Sequence, residues 1–433
     1  MPGIEQQRGP AGFQPFEPVC APLQRREGRL KDGEHYVLRA AVPADAAAVL
    51  SLISGVAAEG LYLMREASEY GIFDEAQERA LIAACDCRGG LMLVAETGAG
   101  QLVGLLSALQ EENGRFAKLR HGLTIGVMLA PALRGRGLGT LLLAAGIDWA
   151  RAAGYRRMRA DVLATNAPSL ALFSRAGFAV EVHRPAFARL GDALVDMLVL
   201  GLDLTQLDAA RAAAQAGART AAAGRARAPA AAPAAPPAVC AAPVAPAAPP
   251  PSGPWPARDV VLSDGEKVRL RPGTPEDAAP VLDMLNVVAR EREFLLTDLF
   301  AYTLDEEHAF LSGFQPAENL LLMAETADGR LVACADAQRD RGGTAAKTRH
   351  VAWIGIALAQ DYRSRGLGRA LIGQFIAWGR TAGIHYLGAN VFASNARSLA
   401  LFRHMGLREC GRQRDAVCID GRYVDLVEHA ILL

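Results

Sequence analysis

Neither sign of charge prevails in this sequence. Its 46 lysines and arginines face 46 aspartates and glutamates, for a net charge of zero at pH 7. A chain whose main work is gripping nucleic acid or an anionic membrane needs a basic surplus, so neither partner is expected. Also missing is any run of about 18 strongly apolar residues free of charge and proline, which excludes a membrane-spanning helix from the expectation. The first ten residues, MPGIEQQRGP, have neither a basic start nor an apolar stretch, so no secretory signal is expected and the chain reads as cytoplasmic. Cysteine is sparse and scattered, seven in all, with Cys85 and Cys87 too close for a CxxC site. Reduced thiols are expected, with no metal site. Hydrophobic residues make up 51%, but much of that is alanine, which buries little.

Acid is absent altogether between Asp208 and Asp259, and residues 209–257 hold 24 Ala and 11 Pro among 49 positions. Prolines from Pro229 to Pro256 remove backbone donors and favour extended geometry, so this stretch reads as a semi-rigid spacer. On either side lies the same pattern. Asp32-Gly33-Glu34 and Leu38-Arg39 recur as Asp264-Gly265-Glu266 and Leu270-Arg271; further on, at an offset of 229, Arg120-His121 recurs as Arg349-His350, Trp149 as Trp378 and Asn166 as Asn395. Such a register over about eighty residues marks a tandem duplication. The expected division is an N-terminal arm (1–29), a first domain (30–208), an Ala/Pro-rich linker (209–257) and a second domain (258–433).

In copy one the pattern predicts strands at His35–Ala40, Leu91–Glu96, Gln101–Ala108, Leu123–Leu129 and Met158–Ala164, then strand-like Ala179–His183 and Ala193–Leu200. Helices are expected from Ala44, in a stretch reaching about Ala84, over Leu138–Ala153 and over Ala167–Ala176, the last with Asn166 as N-cap. That order gives an α/β (α+β) fold with helices on both faces of a sheet.

The chemistry gathers at one strand-to-helix turn. Copy one reads Arg134-Gly135-Arg136-Gly137-Leu138-Gly139 and copy two Arg363-Ser364-Arg365-Gly366-Leu367-Gly368. Glycines let the backbone approach a ligand, and the following helix points its unpaired N–H groups and positive dipole end at it, which suits a phosphate or pyrophosphate flanked by arginines. In each copy, 29 residues after the central glycine, a second shared segment begins: Asn166-Ala167-Pro168-Ser169-Leu170-Ala171-Leu172-Phe173 with Gly177, and Asn395-Ala396-Arg397-Ser398-Leu399-Ala400-Leu401-Phe402 with Gly406. RxxGxG followed by NxxSxxLFxxxG resembles the GNAT superfamily of N-acetyltransferases, over both copies.

The resemblance implies, in each copy, a central mixed sheet splayed between its fourth and fifth strands with acyl-CoA in the gap. It implies acetyl-CoA as co-substrate and an amine-bearing acceptor that attacks the thioester directly. Carried over residue by residue, the pyrophosphate would meet Arg134, Arg136, Gly137, Leu138 and Gly139, and Arg363, Arg365, Gly366, Leu367 and Gly368. The pantetheine arm would run along Val127–Leu129 and Ile356–Leu358. Asn166 and Asn395 would contact it or simply cap their helices, and Phe173 and Phe402 stand where many members carry a tyrosine acid. Where many carry a glutamate, this chain has Thr124 and Trp353. No catalytic acid or base is assigned. His121 and His350 recur in register and titrate in a useful range, against a capping or surface role. Glu96 and Glu325 read as solvated turn residues, and Glu293 against Leu61 suggests that the two acceptor pockets differ. Copy two, with Asp361-Tyr362 before its turn, is the expected catalyst, and both copies are expected to bind acetyl-CoA.

Two other classes compete. One is a non-catalytic acyl-CoA-binding or sensing protein. The other is a dinucleotide oxidoreductase, disfavoured because Thr140 stands where GxGxxG needs its third glycine, and Asp161 matches Asn390. The zero net charge is a cancellation: spacer and arm carry +4 and +1, the two domains −3 and −2. Mildly acidic domains favour a cationic acceptor. Whether the copies pack together is not legible.

Overall fold

The computed structural model describes residues 16–21, 23–64, 69, 74–85, 89–207, 255–340 and 345–433. Residues 209–254 of the expected spacer and Cys87 lie outside them. Copy one runs through β1 (Arg26–Arg29), β2 (His35–Ala40), α1 (Ala46–Ala57), α2 (Glu75–Ala84), β3 (Gly90–Thr97), β4 (Leu102–Gln110), β5 (Gly122–Leu129), α3 (Leu138–Ala152), β6 (Arg157–Leu163), α4 (Ala167–Arg175), β7 (Ala179–Leu190) and β8 (Ala193–Asp203). Copy two repeats it as β9 (Arg258–Val261), β10 (Lys267–Pro272), α5 (Ala278–Ala289), α6 (Leu304–Ser312), β11 (Leu320–Thr326), β12 (Leu331–Arg339), β13 (Val351–Leu358), α7 (Leu367–Thr381), β14 (Tyr386–Phe392), α8 (Ala396–His404), β15 (Arg408–Ile419) and β16 (Arg422–Leu432). Residues 26–29, read from sequence as part of the arm, form the edge strand β1 and pair with β2.

Helices cover both faces of the sheet because its strands are apolar on both. In copy one Leu93, Leu106 and Leu123 pack with Leu138 and Leu142 of α3, while Val94 and Leu105 pack with Val49 and Val56 of α1. Copy two builds the same two layers, with Leu371 and Phe375 of α7 on one side and Val281 of α5 with Leu311 of α6 on the other. At about 1.5–3 kcal/mol for each fully buried large apolar side chain, these layers are the main stabilising term of each copy.

The copies do pack together. All sixteen strands belong to one sheet of order β1-β2-β3-β4-β5-β6-β8-β7-β15-β16-β14-β13-β12-β11-β10-β9, which reads the same from either end in terms of the repeat. The centre is the β7–β15 contact, where Gly411 pairs with Val182. Gly411 has φ 147, and a Cβ there would collide with the carbonyl oxygen of Glu181 and lie 2.7 Å from Val182 Cα. β7 and β8 run longer than the sequence pattern suggested. Pro185 interrupts the alternation, and the strand passes it through a register shift between Arg184 and Ala188.

Symmetry-matched contacts lock the junction. Lys118, 5% exposed, donates to the carbonyls of Arg292 (3.1 Å) and Leu295 (2.7 Å) and pairs with Asp298. Lys347 does the same in return, donating to Gly60 and Leu63 at 2.8 Å. Each lysine thereby holds the loop that follows the other copy's first helix. His121 Nε2 donates to the Asp415 carbonyl (2.7 Å) and His350 Nε2 to the Ala186 carbonyl (3.0 Å). Ala186 and Asp415 are the strained residues of the two bulges, at φ 51 and 49. Their N–H groups donate to Asp196 and Asp425.

The histidines make the junction acid-sensitive. Burial pushes the His350 imidazole down to about 4 and lowers His121 as well. Both are neutral in the folded chain, so the unfolded state takes up the extra protons. Stability is therefore full above the ordinary histidine value of 6.5 and declines as pH falls from there towards 4. For His350 alone the loss should reach roughly 3 kcal/mol. Urea midpoints at pH 7.5 and 5.0 measure it, and His350→Gln should flatten the difference.

Candidate active site

The strand-to-helix turn is formed alike in both copies. α3 follows Gly137 at φ 96 and α7 follows Gly366 at φ 94. Ser364 accepts the left-handed φ of 62 that Gly135 adopts at 76. Among the described residues the amides of Arg136–Gly139 and Arg365–Gly368 make no backbone hydrogen bond. They are the free N–H groups of a helix N-terminus and carry its partial positive charge. Leu138 and Leu367 are 1% and 0% exposed, so only their backbone faces the turn.

The arginines are used differently from the sequence expectation of free cationic charge. Arg134 is bidentate to Glu59 (2.7 and 2.6 Å) and also donates to the Leu129 carbonyl. Arg363 does the same with Glu291 (2.6 and 2.7 Å) and Leu358. The Arg134 guanidinium in turn holds the Glu59 carboxyl below its usual range. Arg136 faces Asp32 and Glu34, each at 2.8 Å, and Arg365 faces Asp264 and Glu266. Every guanidinium of the turn is already met by carboxylate, so the positive potential offered to an anion comes from the amides and the helix end. Arg134 and Arg363 are struts that tie strand end, turn and first-helix loop together.

That loop is the one gripped by the other copy's lysine. In copy two it runs from Glu291 to Phe294, whose ring lies 5.0 Å under the Arg363 guanidinium, with Glu293 exposed beside it. In copy one Tyr62 takes the place under Arg134 at 5.7 Å, and Leu61 is exposed.

Beside each turn the sheet opens. β5 and β6 are parallel and pair only at Gly122–Arg157, Leu123–Met158 and Thr124–Arg159. β13 and β14 pair only at Val351–Tyr386, Ala352–Leu387 and Trp353–Gly388. Beyond Thr124 and Trp353 the strands part, between the fourth and fifth strands counted from His35 and from Lys267. Val127, Leu129, Ile356 and Leu358 border the gap half-buried, with side chains packed towards α3 and α7.

The other expected site residues fall as follows. Asn166 and Asn395 cap α4 and α8, accepting from the amides of Ser169 (3.2 Å) and Ser398 (3.1 Å). Phe173 and Phe402 are 4% and 6% exposed core residues, the former edge-on to Phe178 and the latter stacked on His429. His121 and His350 are spent on the junction and have no route to a catalytic role there. Glu96 and Glu325 are not merely solvated: they pair with Arg39 and Arg271, which also bind Asp45 and Asp277. Cys20 is disulfide-bonded, against the expectation of reduced thiols, while Cys85, Cys334, Cys410 and Cys418 are thiols outside any disulfide. Among the described residues no cluster of His, Cys, Asp or Glu could hold a metal ion, and no helix is long and apolar enough to cross a membrane.

One further residue at the gap is not among the expected site residues. Asp336 on β12 lies opposite Gly355 of β13, and a Cβ on Gly355 would stand 2.7 Å from its Oδ1. The carboxylate therefore leans over the strand that borders the gap. Burial raises its pKa to about 6, and Gln338 donates to it at 2.8 Å. Copy one has Ser107 opposite Gly126 in the same place. The 229 offset marks this mismatch in the sequence, as it marks the Lys118–Lys347 match.

Comparison with known proteins agrees with this geometry. The family model described as the acetyltransferase (GNAT) family matches residues 59–178 and 286–407, once in each copy and over more than half of the chain. No curated protein matches. Similar solved structures include an acetyltransferase of the GNAT family from Streptococcus pneumoniae (22% identity, 39% of this chain and 98% of that one, TM-score 0.36). A putative acetyltransferase from Salmonella typhimurium with its cofactor acetyl-CoA is 25% identical, over 39% of this chain and 94% of its own, with TM-score 0.35. A ribosomal-protein-alanine N-acetyltransferase from Brucella melitensis is 26% identical, over 38% and 99%, with TM-score 0.34. With both repeats matched, this chain belongs to the GNAT acetyltransferase family as a tandem of two such domains.

Proposed function

We propose that this protein transfers an acetyl group from acetyl-CoA to a primary amine by direct attack, that both copies bind acyl-CoA, and that copy two is the catalyst. The observation that carries the binding is the pairing, in both copies, of an opened sheet with a helix N-terminus whose amides have no backbone partner. Those amides suit a pyrophosphate, and the bared strand edges at Val127–Leu129 and Ile356–Leu358 offer hydrogen bonds to the amides of a pantetheine arm. The helix-capping role of Asn166 and Asn395 leaves their second acceptor lone pair for the same arm. The Salmonella neighbour carries acetyl-CoA by its own description, and the family membership supports the same donor here.

Catalysis in copy two is supported by the wall on the α5/α6 face of the gap. It presents Asp336 and Trp353, where copy one presents Ser107 and Thr124. Copy one thereby favours binding without turnover, the second reading, for that half alone. The acidic balance of both domains supports a cationic amine.

Point variants separate the two roles better than truncation, because cutting at the spacer would expose the sheet junction. Gly137→Val and Gly366→Val each close one turn. Calorimetry should find two acetyl-CoA sites in the wild-type chain and one in each variant. Thiol release on a panel of spermidine, the free amino acids and a peptide with a free N-terminus should collapse only in Gly366→Val. Loss of turnover in Gly137→Val alone would reverse the assignment of the copies.

A further inference from the structure

β12 alternates its faces residue by residue. Ala335 and Ala337 pack towards α7, while Cys334 packs with Val281 of α5 and Leu311 of α6. Asp336 and Gln338 therefore share the α5/α6 face with Cys334, on the opposite side of the sheet from the pyrophosphate helix. Across the register on β13 stand Trp353, Gly355 and Ala357. Trp353 marks the last paired position before the gap, and Gly355 is the next residue on the same face. Lacking a side chain, Gly355 leaves the Asp336 carboxylate lying over the backbone that edges the opening.

We propose that Asp336 accepts the proton of the incoming ammonium in copy two, an assignment that rests on the acetyl-transfer reading. An amine approaching a thioester held in the gap from the α5/α6 face meets this carboxylate first. One ammonium proton first passes to Asp336, and the freed nitrogen lone pair then forms the C–N bond while the carbonyl π electrons move onto oxygen. The tetrahedral carbon then expels the CoA sulfur, which leaves with a second proton as the thiol, and Asp336 releases its proton to water.

The surroundings leave this group available for the task. The residue keeps part of its surface in solvent although its carboxylate is enclosed by protein, and among the described residues no lysine, arginine or histidine is paired with it. Its titratable neighbour is Cys334 on the same strand, and that thiol is also faced by Asp277 at the start of α5 and Glu307 on α6; Asp340, just past the strand end, is the nearest further acid in sequence. Asp277 is held by Arg271, and Asp340 accepts from the Trp353 indole. With no cation to hold it ionised and burial acting against the charge, its pKa of about 6 lies close to neutrality. Copy one, with Ser107, has nothing there to take a proton.

The test compares Asp336→Asn, isosteric and uncharged, with Asp336→Glu and the wild-type chain. On the amine of the panel that turns over fastest, Asp336→Asn should lose about 100-fold or more in kcat with acetyl-CoA affinity within twofold. The acidic limb near pH 6 should vanish from its kcat/KM profile, and Asp336→Glu should recover part of the rate. Unfolding separates this from damage. The folded carboxyl titrates above its unfolded value, so its ionised form lowers stability as pH rises past 4 towards 6. Asp336→Asn should then melt higher than wild type at pH 7.5 and no higher at pH 4. Carboxyl carbon NMR on the full chain should place the Asp336 titration near 6. Turnover of Asp336→Asn within threefold of wild type, or a carboxyl titrating near 4, overturns the assignment. A wild-type chain that acetylates no amine sinks the functional reading instead, and the NMR titration still decides the carboxyl.

Discussion

Glu428→Ala should cost about 3–5 kcal/mol of stability, the range for breaking one partner out of a buried ion pair. Glu428 is 0% exposed and Arg184 6%. They meet through two bonds of 2.8 Å, Arg184 from copy one and Glu428 from copy two, and the Tyr386 hydroxyl donates to the same carboxylate at 2.8 Å. The guanidinium also lies over Phe187 (4.9 Å) and Trp353 (5.2 Å). Removing the carboxylate leaves a cation and a phenol buried without their acceptor. Urea unfolding followed by tryptophan fluorescence reads the loss. The double variant Arg184→Gln, Glu428→Val installs the residues of the opposite repeat, Gln413 and Val199, and should regain most of it. A loss below about 1 kcal/mol in Glu428→Ala would mean that the pair is solvated and the junction looser than described.

The second large effect is expected at Gly411. A methyl group at that position has nowhere to go: it meets the backbone of Glu181 and Val182 on the facing strand, and backbone cannot yield as a side chain tip can. Gly411→Ala should lower stability by about 2–4 kcal/mol, combining overpacking with a strained positive φ. Because the contact joins the two copies, the damage should be local to it. Hydrogen exchange should accelerate along β7 and β15 first, with β3 and β11 protected as before. Uniform acceleration across the sheet would show that the copies unfold as one unit.

Much of each copy was legible because its signals are local. Glycines at the turn, the apolar spacing of α3 and α7, and the Asn–Ser spacing at α4 and α8 each depend on a few neighbouring residues, and the repeat displayed them twice. The junction was not legible. It is made from β7 and β15, separated by more than two hundred residues, and each is interrupted by a bulge that breaks the alternation of faces. His121 and His350 illustrate the cost of reading residue type alone, since recurrence in register marked them as important without saying for what. Asp336 failed for the opposite reason. It differs between the copies, and its chemistry depends on Gly355 across the ladder, a pairing that sequence spacing does not reveal.

The buried arginine–glutamate pair also governs which half can sit against which. A first half meeting another first half would bury Arg184 against Val199, a charge left with only Asp161 of its own half at 3.9 Å and without its bidentate acceptor. Two second halves would set Glu428 against Gln413, a carboxylate with no cation. Only the mixed pairing satisfies both groups, so a sheet centre that could have served a symmetric pair admits one combination. Between two molecules the pair therefore disfavours like halves meeting, while a first half set against another molecule's second half keeps it, so the key is cut for the opposite repeat and not for one particular chain.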